Sequence, residues 1–245
     1  TQDKIPISSS SDVQKEQDTL PEAEITPEEE PFLYGYQNLN EEEKTRYRQI
    51  LAGIENYEDS VTVEACSEEE INKVSNLVFV DHPEIFWLEQ QNYSFNQKEN
   101  SDVDLLELNL VYNMGKDEIE DTKQQIEAKA EEWSQELSNC ENEYDKIKYV
   151  YEFLGKNVLY DSESENNQNI QSVFLNQSTV CMGFAKATQY LLIRNGIFCT
   201  LVTGKVMPEN MEHAWNLVRI GENYYYVDTT WSSSGFVPEE DSIQD

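Results

Sequence analysis

Three residues in the last third of the chain have the types and the order needed for thiol chemistry: Cys181, His213 and Asp228. A free cysteine ionises near pH 8.5, so little nucleophilic thiolate is present at neutrality unless a helix N-terminus or an adjacent imidazolium favours the charge. Val180-Cys181-Met182-Gly183 runs into Phe184, Ala187, Thr188 and Leu191 at helical intervals, and Asn195-Gly196 follows as a stop. That pattern puts Cys181 at the start of a helix. An imidazole beside it takes the thiol proton, and a carboxylate behind the imidazole fixes its tautomer.

The elements carrying His213 and Asp228 allow a check. Ile197–Val202, His213–Ile220 and Tyr224–Thr230 read as strands, and Gly221, Glu222 and Asn223 mark a hairpin turn. With a two-residue turn at Gly221-Glu222, Ile220 pairs with Asn223, Trp215 with Asp228 and His213 with Thr230. His213 and Asp228 then share a face as diagonal neighbours, about 7 Å apart at the backbone. An odd loop would separate them. Trp215 and Trp231 flank the pair and can shield it from water.

These stretches resemble the bacterial transglutaminase-like superfamily: Val180-Cys181-Met182-Gly183-Phe184-Ala185-Lys186-Ala187, Gly196-Ile197, Val202-Thr203-Gly204, His213-Ala214-Trp215-Asn216 and Tyr225-Tyr226-Val227-Asp228-Thr229-Thr230-Trp231. The resemblance covers roughly residues 140 to 232 and implies a papain-like α+β fold, with the nucleophile helix packed on an antiparallel sheet. It also implies catalytic roles for Cys181, His213 and Asp228, and a secreted or surface-anchored setting. Gln168 is the best match to a glutamine that lines the oxyanion site in many members. The sequence departs from the pattern at Met182 and at Ser232-Ser233-Ser234.

Stepwise periodicity organises the rest. Residues 1–30 are rich in Ser, Pro, Gln and Glu and read as a disordered linker, exposed after loss of an upstream signal or anchor. Residues 31–115 read as an accessory α+β region. It contains a capping box at Asn40 and Glu43, a second at Ser67 and Glu70, a strand at Ser60–Ala65, and an antiparallel pair between Phe86 and Asn113. Residues 116–245 form the catalytic domain, opening with a long helix over Lys116–Asn139 and another over Asn142–Asn157.

Composition narrows the partners. A net charge of -32, from 49 acidic and 17 basic residues, repels phosphate backbones and argues against nucleic acid. No apolar run is long enough to insert in a membrane. Four cysteines without CxxC spacing and two histidines point to free thiols, with no metal and no cofactor. The expected partner is a protein or peptide, cell-wall peptide included, with turnover through an acyl-enzyme by hydrolysis or by amine crosslinking. Two alternatives stand beside this. One is a noncatalytic cell-surface module binding wall peptide or glycan on the same fold; the other is an interaction protein using its acidic face.

Overall fold

The computed structural model describes residues 20–89, 94–98, 105–208 and 210–233, with backbone alone over 94–98. The expected linker over 1–19, two stretches of the expected strand pair and Ser234 lie outside these residues.

Asn40 opens helix α2 (Glu41–Glu55), after a short helix α1 (Tyr34–Gln37). Its side chain accepts the Glu43 N–H at 3.0 Å while the Glu43 carboxylate accepts the Asn40 N–H at 2.9 Å, the reciprocal box expected there. Strand β1 (Ser60–Glu64) buries alternate residues Val61 and Val63. Ser67 caps helix α3 (Glu68–Asp81), but the Glu70 carboxylate pairs with Arg46 at 2.7 Å. The second box is therefore half formed. Strands β2 (Ser94–Lys98) and β3 (Leu105–Asn109) pair antiparallel as expected, and β3 also pairs antiparallel with β1 to give the order β1-β3-β2.

The linker ends earlier than composition suggests. Ala23 is buried and its N–H donates to the Arg48 carbonyl at 2.9 Å, while Glu22 pairs with Arg48 at 2.7 Å. A single apolar contact and one cation are enough to order polar sequence when a formed helix presents them.

Helix α4 (Lys116–Ser134) buries Ile119, Ile126, Ala130 and Trp133 on one stripe. The helix expected to reach Asn139 instead tightens into a 3-10 turn over Gln135–Asn139, which keeps Leu137 buried. Asn142 caps helix α5 (Glu143–Asn157) by accepting the Asp145 N–H. Two-residue strands β4 (Leu159–Tyr160) and β5 (Ser178–Thr179) then pair in parallel.

Helix α6 (Cys181–Arg194) is enclosed on nearly every side: Phe184, Ala187, Leu191 and Leu192 join the core, and even Lys186, Thr188 and Gln189 are buried. Each large apolar side chain there contributes about 1.5–3 kcal/mol. Helix α6 lies on strands β6 (Cys199–Val206) and β7 (Met211–Ile220), and β7 pairs with β8 (Asn223–Val227) in an antiparallel meander. This is the α+β arrangement expected, a helix packed on an antiparallel sheet. One core cluster runs through both halves of the described chain, from Val78, Trp87 and Leu108 to Ile126, Ile170 and Leu191.

Candidate active site

Cys181 is the first residue of α6, and Val180 before it is extended and supplies no side-chain cap. The amides of the first turn therefore face the thiol side of the helix with positive character. Gly183 allows the approach of the preceding strand: a Cβ at that position would collide with the Thr179 side chain. Burial opposes ionisation of Cys181. Hydrogen bonds from the His213 side chain and from the Ala214 and Met182 amides outweigh it and hold the thiol below the ordinary cysteine range.

His213 sits on β7 opposite Gly204 of β6 and is buried. Its Nε2 lies 2.7 Å from Asp228 Oδ2, which leaves Nδ1 for the sulfur. The Asp228 hydrogen bond and the Cys181 hydrogen bond, against a smaller cost of burial, push the imidazole up to about 9 from 6.5. With the thiol lowered and the imidazole raised, the pair favours thiolate and imidazolium.

The hairpin follows the expected register as far as it goes, Ile220 with Asn223 through Asn216 with Val227. Strand β8 stops there instead of reaching Thr230. Asp228 caps a 3-10 turn (Thr229–Ser232), its Oδ1 accepting the Thr230 N–H at 3.2 Å, so the expected pairing of His213 with Thr230 is absent. One carboxylate thus ends the strand and holds the imidazole. Trp215 stacks on the His213 ring at 5.9 Å with an interplanar angle of 24°, and Trp231 meets it edge-on at 6.4 Å while staying 49% exposed.

Two ties hold the helix against these residues. The fully buried Asn216 side chain donates to the Ala185 carbonyl at 3.0 Å, and the Thr188 and Thr229 hydroxyls meet at 2.8 Å. Asn216 stands in the motif His213-Ala214-Trp215-Asn216, yet its role could be seen only once helix and strand were adjacent. Tyr160 was missed altogether. Burial and the charge on Cys181 both suppress its ionisation, which puts its ring near the sulfur. A two-residue strand carries no periodicity that could have revealed it.

Gln168 is exposed, and its Nε2 donates to Asn167 Oδ1 at 2.9 Å. It lines a cavity with Met182 and Lys186. All four cysteines are free. Burial raises Cys199 and Cys66, so Cys181 differs from both in direction. Among the described residues no cluster of His, Cys, Asp and Glu could hold a metal ion, and no helix is long and apolar enough to cross a membrane.

Residues 131–229 match the family model described as Transglutaminase-like superfamily. The Kyphoscoliosis peptidase of Mus musculus is 22% identical over 112 residues, which are 40% of this chain and 17% of that protein. The crystal structure of a TGase is 15% identical with a TM-score of 0.42, covering 76% of this chain and 54% of its own. A candidate cysteine protease from Cytophaga hutchinsonii is 17% identical with a TM-score of 0.39, covering 56% of this chain and 62% of its own. This chain therefore spans about a sixth of the length of the mouse peptidase and less than two thirds of either solved relative. The matched segment holds the nucleophile helix, the hairpin and Asp228 together, and residues 131–229 are a transglutaminase-like region.

Proposed function

We propose that the chain is a thiol enzyme acting on peptide or glutaminyl amide bonds through an acyl-enzyme. The observation that carries this reading is the line from the lowered Cys181 thiol through His213 to Asp228, with 2.7 Å between imidazole and carboxylate. Thiolate Cys181 attacks the carbonyl carbon, and the electron pair moves onto the oxygen. The Cys181 backbone amide and Gln168 face that oxyanion. Collapse breaks the C–N bond as His213 delivers its proton to the departing amine, leaving a thioester. Water then gives a hydrolase, with His213 accepting the proton, and a lysine amine gives an isopeptide. The aromatic rim of Trp215, Trp231 and Tyr226 favours a peptide-sized substrate. An extracellular or cell-surface setting belongs to the same proposal, supported by the resemblance to secreted members.

Site-resolved alkylation against pH tests it. Cys181 is expected to react well below pH 8, and His213→Ala to slow its labelling at pH 6.5 by at least about tenfold, the loss of one unit of pKa depression. Incubation with glutamine peptides and a primary amine separates the outcomes: ammonia release without amine incorporation indicates hydrolysis. Equal reactivity at all four cysteines, with no turnover of either kind, would favour the noncatalytic binding module instead.

A further inference from the structure

Lys186 lies on α6 five residues beyond Cys181, about 7.5 Å along the helix axis. It is 4% exposed, and among the described residues it has neither a carboxylate partner nor a hydrogen bond. A buried, unpaired ammonium costs free energy, and folded proteins rarely keep one without compensation. Burial alone pulls it down to about 8, with no charged neighbour contributing. Leucine or methionine would fill the same space at no such cost.

The side chain lines a cavity of about 520 Å³ at the junction of the accessory region and the core. One wall is apolar, from Phe86 and Met182; the other presents the carboxamides of Asn113, Asn167 and Gln168. Asn113 Nδ2 already donates to the Phe86 carbonyl and Gln168 Nε2 to Asn167, but each amide nitrogen carries a second hydrogen. Glu89 is the only other ionisable group lining the cavity among the described residues, and it is exposed at the mouth. A single cation with amide donors and an apolar wall suits a monoanion attached to a carbon skeleton. A phosphate dianion would call for arginines or several cations, and Glu89 with the net charge of -32 works further against it.

We propose that this cavity is a carboxylate-binding subsite, in which the Lys186 ammonium pairs with a carboxylate of a peptide lying beside Met182. The peptide body of the ligand rests on the function proposed above; the carboxylate preference does not. The subsite sits one residue along from the nucleophile, so a peptide held there by its carboxylate terminus or an acidic side chain runs toward Cys181.

The test uses the full chain as Cys181→Ala, so that no turnover intervenes, at pH 6.5, where the ammonium is charged. The probes are N-acetylated dipeptides with a free C-terminal carboxylate and the same dipeptides as C-terminal amides. Calorimetric titration is expected to show at least a tenfold preference for the acids, and Lys186→Met to remove it. A second readout needs no substitution at Lys186: in the 13C spectrum its Cε resonance is expected to move on titration with the acids and to stay still with the amides. Equal binding of acid and amide, binding of neither, an unmoved Cε resonance, or a preference that survives in Lys186→Met overturns the proposal. The thiol-enzyme reading fails on different grounds, slow and His213-independent labelling of Cys181 in the unsubstituted chain, so the two can fall separately.

Discussion

The chain has two histidines, and each is held by a carboxylate at almost the same distance: His82 Nδ1 lies 2.8 Å from Glu84 and His213 Nε2 lies 2.7 Å from Asp228. Both imidazoles are shifted upward, His213 chiefly by its Asp228 hydrogen bond and His82 because Glu84 and Asp81 outweigh the cost of its burial. The difference lies on the far side of each ring. His213 turns its second nitrogen toward a thiol at a helix start. The second nitrogen of His82 is buried with no hydrogen-bond partner, and its ring packs on Tyr47 at 5.9 Å. A histidine–carboxylate pair is therefore not in itself a reactive site; it becomes one when a nucleophile occupies the open nitrogen.

Breaking the comparison at its strongest point gives the largest effect. Cys181→Ala is expected to abolish amide turnover, and His213→Ala to lower kcat by at least about 10³-fold, near the loss seen when a nucleophile's base is removed. The matching change His82→Ala is expected to leave Cys181 labelling within about twofold. If His82→Ala slowed labelling as much as His213→Ala, the distinction between the two sites would be gone.

Asp228→Asn comes next, with a loss of about 10²–10⁴-fold in kcat while the fold survives, since the amide can hold the ring but favours the wrong tautomer. Circular dichroism with single-turnover kinetics checks both halves. In the accessory region the corresponding carboxylate is Asp81, which accepts the Gly35 and Tyr36 amides at 2.8 Å and the Tyr47 hydroxyl at 3.0 Å. Asp81→Ala is expected to cost about 3 kcal/mol of stability by orphaning those donors, with no change in the pH dependence of the thiol.

Titration sharpens the contrast further. His213 holds its proton more tightly when folded, so its contribution to stability is complete below about 6.5 and drains as pH rises through about 9. Cys181 runs the other way: its contribution is present above the ordinary thiol range and is lost as pH falls through its lowered value. Both charges coexist between those limits. Turnover is expected to fall above about pH 9, where the general acid is lost, while alkylation of Cys181 stays on its plateau. The smallest effect is at Asn40→Ala, about 1 kcal/mol from the lost capping bond, readable as a lowered melting temperature with unchanged labelling.

What could be read from sequence follows from how local each determinant is. The Asn40 box, the Cys181 helix start and the Gly221-Glu222 turn depend on residues a few positions apart, and each forms as its spacing implies. The same turn brought His213 and Asp228 to one side of the hairpin. The end of β8 was misjudged because Asp228, counted as a strand residue, caps the next turn with its own side chain. Features that need distant segments were invisible. Tyr160 reaches the thiol through a two-residue parallel strand, and Ala23 is ordered by a helix 25 residues away. Lys186 reads from sequence as a polar position, and only the enclosure of α6 on all sides shows that it is buried.

The bond from Asn216 to Ala185 sets a short lever. Ala185 stands four residues from Cys181, about 6 Å along the axis, so a helix tilt of roughly 5° about that pivot swings the sulfur by only about 0.5 Å. Were the pivot at Arg194, about 20 Å away, the same tilt would carry the sulfur roughly 1.7 Å, several times the tolerance of a proton transfer. Thermal rocking of the helix is thus spent at its far end, and the gap between sulfur and imidazole hardly registers it.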